Sequence, residues 1–268
     1  LDCHTPVEHL VAERTLQYDD FMMQLIGIPS MLWYNNPMFI IGLLCCSIFR
    51  PKMKNIIIKI NNNWIHNEKM KYLEKRKNST DPTTPTFIST NDIITSWYSQ
   101  HSKLTTILMS INARKRIPCF QLSMAGNYET ALIYNQPEDY NTPEAIRKSL
   151  RTYRNVSGTL PDSFRTLLWN IGISTNWTTF YEQININSSG TDSSTNNTTI
   201  TNTATSTNTS NSNYVYHIPV TTAEELSVWR EAMVVFKMDA DTTAVLLSTR
   251  TITCDNIPTS IGQIIHTF

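Results

Sequence analysis

The sequence predicts an α/β (α+β) sandwich, on three observations. Short β-branched runs such as Ile56-Ile57-Ile58-Lys59-Ile60 are interspersed with longer stretches of helical periodicity. The two kinds of element follow one another without a strict strand–helix–strand repeat and without any fixed internal period, so a solenoid is excluded. With 268 residues, 40% of them hydrophobic and 10% aromatic, the chain can bury a sizeable core.

Taken in order, residues 21–49 carry no charged side chain. Within them Met38-Phe39-Ile40-Ile41-Gly42-Leu43-Leu44-Cys45-Cys46 is the most apolar run. Pro29, Asn35, Asn36 and Pro37 interrupt it, leaving a stretch shorter than the roughly 20 residues a membrane-spanning helix needs. It reads as a buried or groove-lining helix, with shallow contact at a membrane surface as the alternative. The β-branched strand at 56–60 follows, then a charged helix over 64–75 whose Lys69, Lys71, Glu74 and Lys75 form a solvated face. Residues 78–85 are a Pro/Thr/Ser linker.

A helix opens at Ser89-Thr90-Asn91-Asp92, where a hydroxyl and an acid three residues on can satisfy free backbone N–H groups reciprocally. Ile93, Ile94, Trp97 and Tyr98 follow on one face. Ile107, Met109 and Ile111 predict a half-buried strand, and Ala131-Leu132-Ile133-Tyr134 another. Thr142-Pro143-Glu144 starts a helix with the apolar stripe Ile146, Leu150 and Tyr153, and 162–169 forms a second after Pro161. Near the end, strands at 233–238 and 243–248 flank Asp239-Ala240-Asp241-Thr242 as a hairpin. Residues 185–213 are nearly all Ser, Thr and Asn; such a tract cannot bury enough surface to offset chain entropy and is expected to be a disordered insertion between ordered flanks.

Charge excludes several functions. With 22 basic and 22 acidic residues the net charge is zero, and charged residues make up 16%, so the basic footprint of a nucleic-acid binder is absent. The five cysteines, Cys3, Cys45, Cys46, Cys119 and Cys254, show no C-x-x-C pair and are expected to be reduced and buried as small hydrophobes. The six histidines form no metal-ligand spacing, and no H-E-x-x-H, P-loop or G-x-S-x-G motif is present. His4 with Glu8 and His9 with Glu13 are i, i+4 pairs that read as exposed surface pairs. The chain starts at Leu1 rather than Met, without the features of a removed signal peptide, and is expected to lack its N-terminal part.

Three segments together resemble the HxxxD acyltransferases, the superfamily of chloramphenicol acetyltransferase, the plant BAHD enzymes, condensation domains and wax ester synthases. Phe87-Ile88-Ser89-Thr90-Asn91-Asp92-Ile93-Ile94-Thr95 resembles their "S-x-N-D-a-l-T" helix start. Ile111-Asn112-Ala113-Arg114-Lys115-Arg116 followed by Gly126-Asn127-Tyr128 resembles their "D-x-R-x-R … G-N" strand and turn, and Ser174-Thr175-Asn176-Trp177 their "T-S-W" segment. Together they cover about 56–245.

The resemblance implies a pair of chloramphenicol-acetyltransferase-like sandwich domains with a tunnel between them. It implies acyl transfer from a coenzyme A thioester to a hydroxyl or amine, with a His of an H-x-x-x-D motif as general base. No His here is followed four residues later by Asp. His4–Glu8 stands as a degenerate form at most. The family's D-F-G-W-G signature is also absent after Trp177. The chain thus looks like the C-terminal half of such an enzyme, with 1–77 as the tail of the first half and interdomain segment, and 78–268 as the second domain. By the resemblance, Thr175 matches the hydroxyl that donates to the oxyanion and Trp177 a tunnel-wall aromatic. Asn127 matches a turn near the interface, with substrate binding as its other role. Asp92 reads as a helix cap, and Arg114 and Arg116 as ion-pair formers with coenzyme A phosphate contact as the alternative. The implied partners are acyl-CoA as co-substrate, a small-molecule acceptor and the missing N-terminal domain, with no metal. A cytoplasmic setting is expected, with peripheral membrane contact through 21–49. A non-catalytic acyl-chain or lipid-binding module on the same fold is the alternative function.

Overall fold

The computed structural model describes residues 18–48, 53–114, 116, 129–168, 170–178, 229–239 and 241–267. Among them are eight α-helices and seven strands in a mixed α/β arrangement, with helices on both faces of one sheet. The helices are α1 (Tyr18–Ile26), α2 (Ile28–Tyr34), α3 (Pro37–Ile48), α4 (Asn62–Lys77), α5 (Thr90–His101), α6 (Pro137–Tyr140), α7 (Pro143–Thr152) and α8 (Ser163–Leu167). The strands are β1 (Lys54–Ile60), β2 (Thr106–Asn112), β3 (Glu129–Tyr134), β4 (Ile171–Asn176), β5 (Glu231–Lys237), β6 (Thr243–Thr249) and β7 (Gly262–Thr267).

The sheet order is β3-β2-β4-β5-β6-β1-β7. The central pairs β2/β4 and β4/β5 are parallel and the others antiparallel. Strand β1 therefore lies inside the sheet between β6 and β7, although it precedes the 77/78 boundary read from the sequence. Its six pairs with β6 run from Lys54↔Thr249 to Lys59↔Ala244.

The first face carries the main core. Ile56, Ile58, Ile107, Met109, Met233, Val235, Val245 and Leu247 project from the strands against Ile65 and Tyr72 of α4, Ile93, Ile94, Trp97 and Tyr98 of α5, and Ile146 of α7. Met22, Leu25 and Ile26 of α1 join the same cluster. Each such side chain, fully buried, contributes about 1.5–3 kcal/mol. On the second face, Trp33 of α2 packs on Leu108, Ile133 and Ile171, with Phe39 and Leu43 of α3 against them. Trp33 Nε1 donates to Thr166 Oγ1 of α8 at 3.0 Å, which ties this helical layer together. Further along the second face, Ile57, Val234, Phe236, Ala244 and Leu246 form a separate cluster.

Local signals placed most elements. Ser89 Oγ accepts from the Asp92 N–H at 3.2 Å and Asp92 Oδ2 from the Ser89 N–H at 2.7 Å, the capping box expected at the head of α5. Thr142 caps α7 and Pro143 opens it. Tyr153, read as the end of that helix's stripe, instead sits just past it at φ 54°, in the left-handed C-cap position. Helix α8 is shorter than the 162–169 expected, spanning Ser163–Leu167 after the Asp162 cap.

Three further expectations are corrected. Strand β2 is buried on both faces rather than one, because it lies between β3 and β4 and Leu108 faces the Trp33 cluster while Ile107 and Met109 face α5. Residues 21–48 lie in three helices broken at Gly27 and Asn35-Asn36 rather than one, and α3 is only partly buried: Phe39 and Leu43 pack on the second-face cluster, as a groove-lining helix would, while Ile40, Leu44 and Ile48 are 51%, 57% and 74% exposed. Cys45 and Cys254 are exposed free thiols, not buried hydrophobes. Strands β4 and β7 and helix α6 carried too weak a pattern to be foreseen. Among the described residues no helix is long and apolar enough to cross a membrane. The 185–213 tract and the His4/Glu8 and His9/Glu13 pairs lie outside the described residues.

Candidate active-site cleft

Strand β4 alternates its side chains between two different environments. Gly172 and Ser174 face the main core, where Thr95 Oγ1 of α5 and Ser174 Oγ share a hydrogen bond at 3.4 Å. Gly172 has no room for a side chain: a Cβ there would overlap Leu104 Cδ1 and stand 3.0 Å from the Tyr98 hydroxyl. Ile171 and Ile173 face the α2–α3 layer, and by the two-residue period Thr175 follows them onto that face.

Thr175 is half-buried and pairs with Val234 of β5. Among the described residues no hydrogen bond engages its hydroxyl, so it is not the backbone-bonded strand-end threonine that its position would ordinarily suggest. Just beyond it, Asn176 Oδ1 accepts from the Thr178 N–H at 2.9 Å and its hydroxyl at 2.7 Å, a side-chain turn that ends the strand. The Trp177 N–H donates to the Val235 carbonyl at 2.7 Å, and the indole packs on the Val234–Phe236 cluster. Thr175 and Trp177 therefore share one face of the sheet.

On the same face a cleft of about 400 Å³ opens between α1–α3 and strands β2, β3 and β4. Its apolar wall includes Met22, Met31, Phe39, Leu108, Ile173 and Trp229. Its polar side is Ser110 and Glu129, with Ser110 Oγ donating to Glu129 Oε2 at 3.1 Å. Tyr34, stacked edge-on against Phe39 at 5.8 Å, closes the cleft by donating its hydroxyl to the Ala131 carbonyl at 2.9 Å; burial pushes that phenol well above its ordinary range. The register sets the Thr175 hydroxyl one strand from the cleft's Ser110 side. Met109 pairs with Ser174, so the next step along sets Ser110 beside Thr175, and Ser110 pairs with Ala131 on its other side.

The remaining residues singled out from sequence fall elsewhere. Asp92 is 0% exposed and acts as the cap it was read to be, held by Arg147 at 2.6 Å from Nη2 to Oδ2. Desolvation raises its pKa, partly offset by the Ser89 N–H and by Arg147. Arg116 donates to the Tyr153 hydroxyl at 3.3 Å and lies over that ring at 5.4 Å. The N–H of Arg114 donates to Asn112 Oδ1 at 2.9 Å. Asn127 lies outside the described residues, as do Phe180 and Tyr181. Of the described histidines, His66 lies on α4 and His101 ends α5, where its Nδ1 is 2.7 Å from the Trp97 carbonyl; His266 lies on edge strand β7, four strands from β4. Among the described residues no three of His, Cys, Asp and Glu could hold a metal ion.

Sequence reasoning missed Ser110, Glu129, Tyr34 and Trp229. Of these, Glu129 carried a usable signal, as the polar member of a strand whose other residues on that side, Ala131 and Ile133, are apolar.

No protein-family model matches the chain, and no curated protein matches it. Among solved structures, F. graminearum TRI101 complexed with coenzyme A and deoxynivalenol is similar over 80% of this chain, at 10% identity and a TM-score of 0.44. This chain spans 50% of that structure's length.

Proposed function

We propose that the protein is part of a coenzyme A-dependent acyltransferase, which moves an acyl group from the thioester to a hydroxyl or amine acceptor. The reading is carried by one observation: among the described residues the Thr175 hydroxyl has no hydrogen-bond partner, and it lies on the sheet face that bears the apolar cleft, one strand from its Ser110 end. When a nucleophile adds to a thioester, negative charge collects on the former carbonyl oxygen, and a donor fixed at that oxygen stabilises the transition state. Thr175 supplies such a donor on a rigid strand, and Trp177 walls the neighbouring surface. The sequence motifs resembling the HxxxD acyltransferases point to the same two residues. Collapse of the tetrahedral adduct then expels coenzyme A as its thiolate.

The acceptor's proton needs a base, and this sequence holds no H-x-x-x-D. On this reading the base is a histidine of a further N-terminal domain, and the tunnel is completed between the two halves. The protein works in the cytoplasm with acyl-CoA and a small-molecule acceptor, and the exposed stripe of α3 makes peripheral membrane contact.

The test is thiol release from acetyl-, octanoyl- and palmitoyl-CoA with a panel of alcohols and amines. The native protein from its source cell should release thiol, while the 268-residue chain alone should not. Thiol release no faster than a protein-free control for every pair would sink the transferase reading. Turnover by the 268-residue chain alone would overturn the assignment of the base to another segment.

A second reading, a non-catalytic acyl-chain or lipid-binding module, is favoured by the combination of an apolar cleft with the missing H-x-x-x-D. It expects saturable binding of the acyl-CoA series by the native protein with no thiol release.

A further inference from the structure

Three neighbouring helices on the second face of the sheet each present an apolar stripe to solvent. On α2, Ile28 and Leu32 are 60% and 65% exposed, and on α8, Phe164 and Leu168 are 69% and 58% exposed. On α3 the stripe is Ile40, Leu44 and Ile48, with Ile41 exposed beside it. Residues four apart lie one above the other on a helix, so each stripe is continuous along its element. The helices are tied side by side. Trp33 of α2 bonds Thr166 of α8, and Asn36, in the link between α2 and α3, donates from Nδ2 to Ser163 Oγ at 3.3 Å.

Charge identifies what this face meets. Between residues 21 and 67 every charged side chain is basic: Arg50, Lys52, Lys54 and Lys59, the first three following directly on α3. On α8, Asp162 and Arg165 stand 3.7 Å apart and offset each other. Among the described exposed residues of α2, α3 and their link, Asn35 alone carries an amide or hydroxyl. A protein partner is held by roughly one hydrogen bond per 100–200 Å² of interface, and this face offers few groups to make them. A phospholipid surface asks none of the stripes. Its acyl region accepts apolar side chains, and its headgroups attract the cations.

We infer that α2, α3 and α8 together dock on an anionic phospholipid surface. The inference rests on the peripheral contact of α3 given above, to which it adds two helices and the charge of the lipid. Met31 of α2 and Phe39 of α3 line the cleft from the other side, so docking sets the cleft one helical layer from the bilayer.

The experiment is co-sedimentation of the 268-residue chain with vesicles of phosphatidylcholine alone or mixed with phosphatidylserine. Binding should be about tenfold tighter with phosphatidylserine at low salt, and that gain should vanish in concentrated salt. Leu32→Gln and Phe164→Gln should each weaken binding at least about fivefold. Met70→Gln, at an exposed apolar position of α4 on the other face, should leave it unchanged. Thermal melting checks that the variants fold, and Leu168→Gln stands in for Phe164→Gln should that one melt early.

Vesicle binding that Leu32→Gln and Phe164→Gln leave intact, but that α3 variants weaken, keeps the α3 contact and rejects the three-helix face. Equal binding with and without phosphatidylserine rejects the anionic lipid. A concentration-dependent dimer that these variants abolish, with no vesicle binding, assigns the face to a second copy and overturns the inference. Thiol release by the native protein with no vesicle binding also overturns it, while leaving the transferase reading in place.

Discussion

Arg147 of α7 grips Asp92 at the head of α5 through both Nε, at 2.7 Å, and Nη2, at 2.6 Å, on the single oxygen Oδ2. That oxygen also accepts the Ser89 N–H, so one buried carboxylate caps a helix and docks its neighbour. The guanidinium is itself covered by the Phe87 ring at 4.6 Å. Helix α5 in turn lies against the core face of β4 through Thr95 and Ser174, so this pair fixes the strand whose opposite face carries Thr175.

Arg147→Met should therefore be costly. It leaves Asp92 buried with its charge uncompensated, and the expected loss is about 3–5 kcal/mol in urea unfolding. Asp92→Asn with Arg147→Met should recover part of that loss, since the orphaned charge is gone. A double-mutant cycle showing coupling below about 0.5 kcal/mol would contradict this account of the pair.

Asp92 also predicts a direction for the pH dependence. Its folded pKa is raised by burial, so between the ordinary carboxylate pKa and the raised value the folded state holds more protons than the unfolded one. Stability from this residue is therefore greatest below the ordinary carboxylate pKa and falls as pH rises through that window. Unfolding free energies of the parent chain and Asp92→Asn, compared from about pH 3 to pH 7, should diverge in that sense. A difference that stays flat or runs the other way would show that the ion pair outweighs burial.

Gly172→Ala tests the crowding beneath β4. The added methyl has no space between Leu104 and the Tyr98 hydroxyl, so the Leu104 side chain, the sheet or α5 must shift. The expected cost is about 1–3 kcal/mol, read from the urea midpoint at unchanged m-value. A neutral outcome would mean that Leu104 swings aside freely.

The outward stripe of α3 makes the opposite prediction. Ile40, Leu44 and Ile48 recur every four residues on a solvent-facing side with no charged neighbour in the helix. Ile40→Gln with Leu44→Lys should leave thermal stability within about 0.5 kcal/mol per site while reducing self-association and liposome co-sedimentation. A large loss of stability would place these side chains in a buried contact instead.

Much of the local structure was legible in the sequence because its causes are local. The α5 cap needs only Ser89 and Asp92, three residues apart, and α7 needs only Thr142 and Pro143. The β5–β6 hairpin follows from two apolar runs around a short polar turn, where Asp239 accepts from the Asp241 and Thr242 N–H groups. The site was only half legible. Thr175 and Trp177 came from resemblance to a motif, whereas Ser110 and Glu129 could not be assigned to the same surface without knowing that β2 lies between β3 and β4.

By itself the sequence determined where α5, α7 and the β5–β6 hairpin form, since capping hydroxyls, prolines and apolar alternation act over a few residues. Tertiary structure decided the order of the sheet. β1 joins β6 across Lys54↔Thr249, a pairing selected by the side chains that both faces must bury, not by local preference. It also decided that Ser174 enters the core while Thr175 lies on the opposite sheet face, the one that bears the cleft. Alternation along β4 sends adjacent residues to opposite faces, and only the packing of α5 on one face and α2–α3 on the other gives those faces different chemistry.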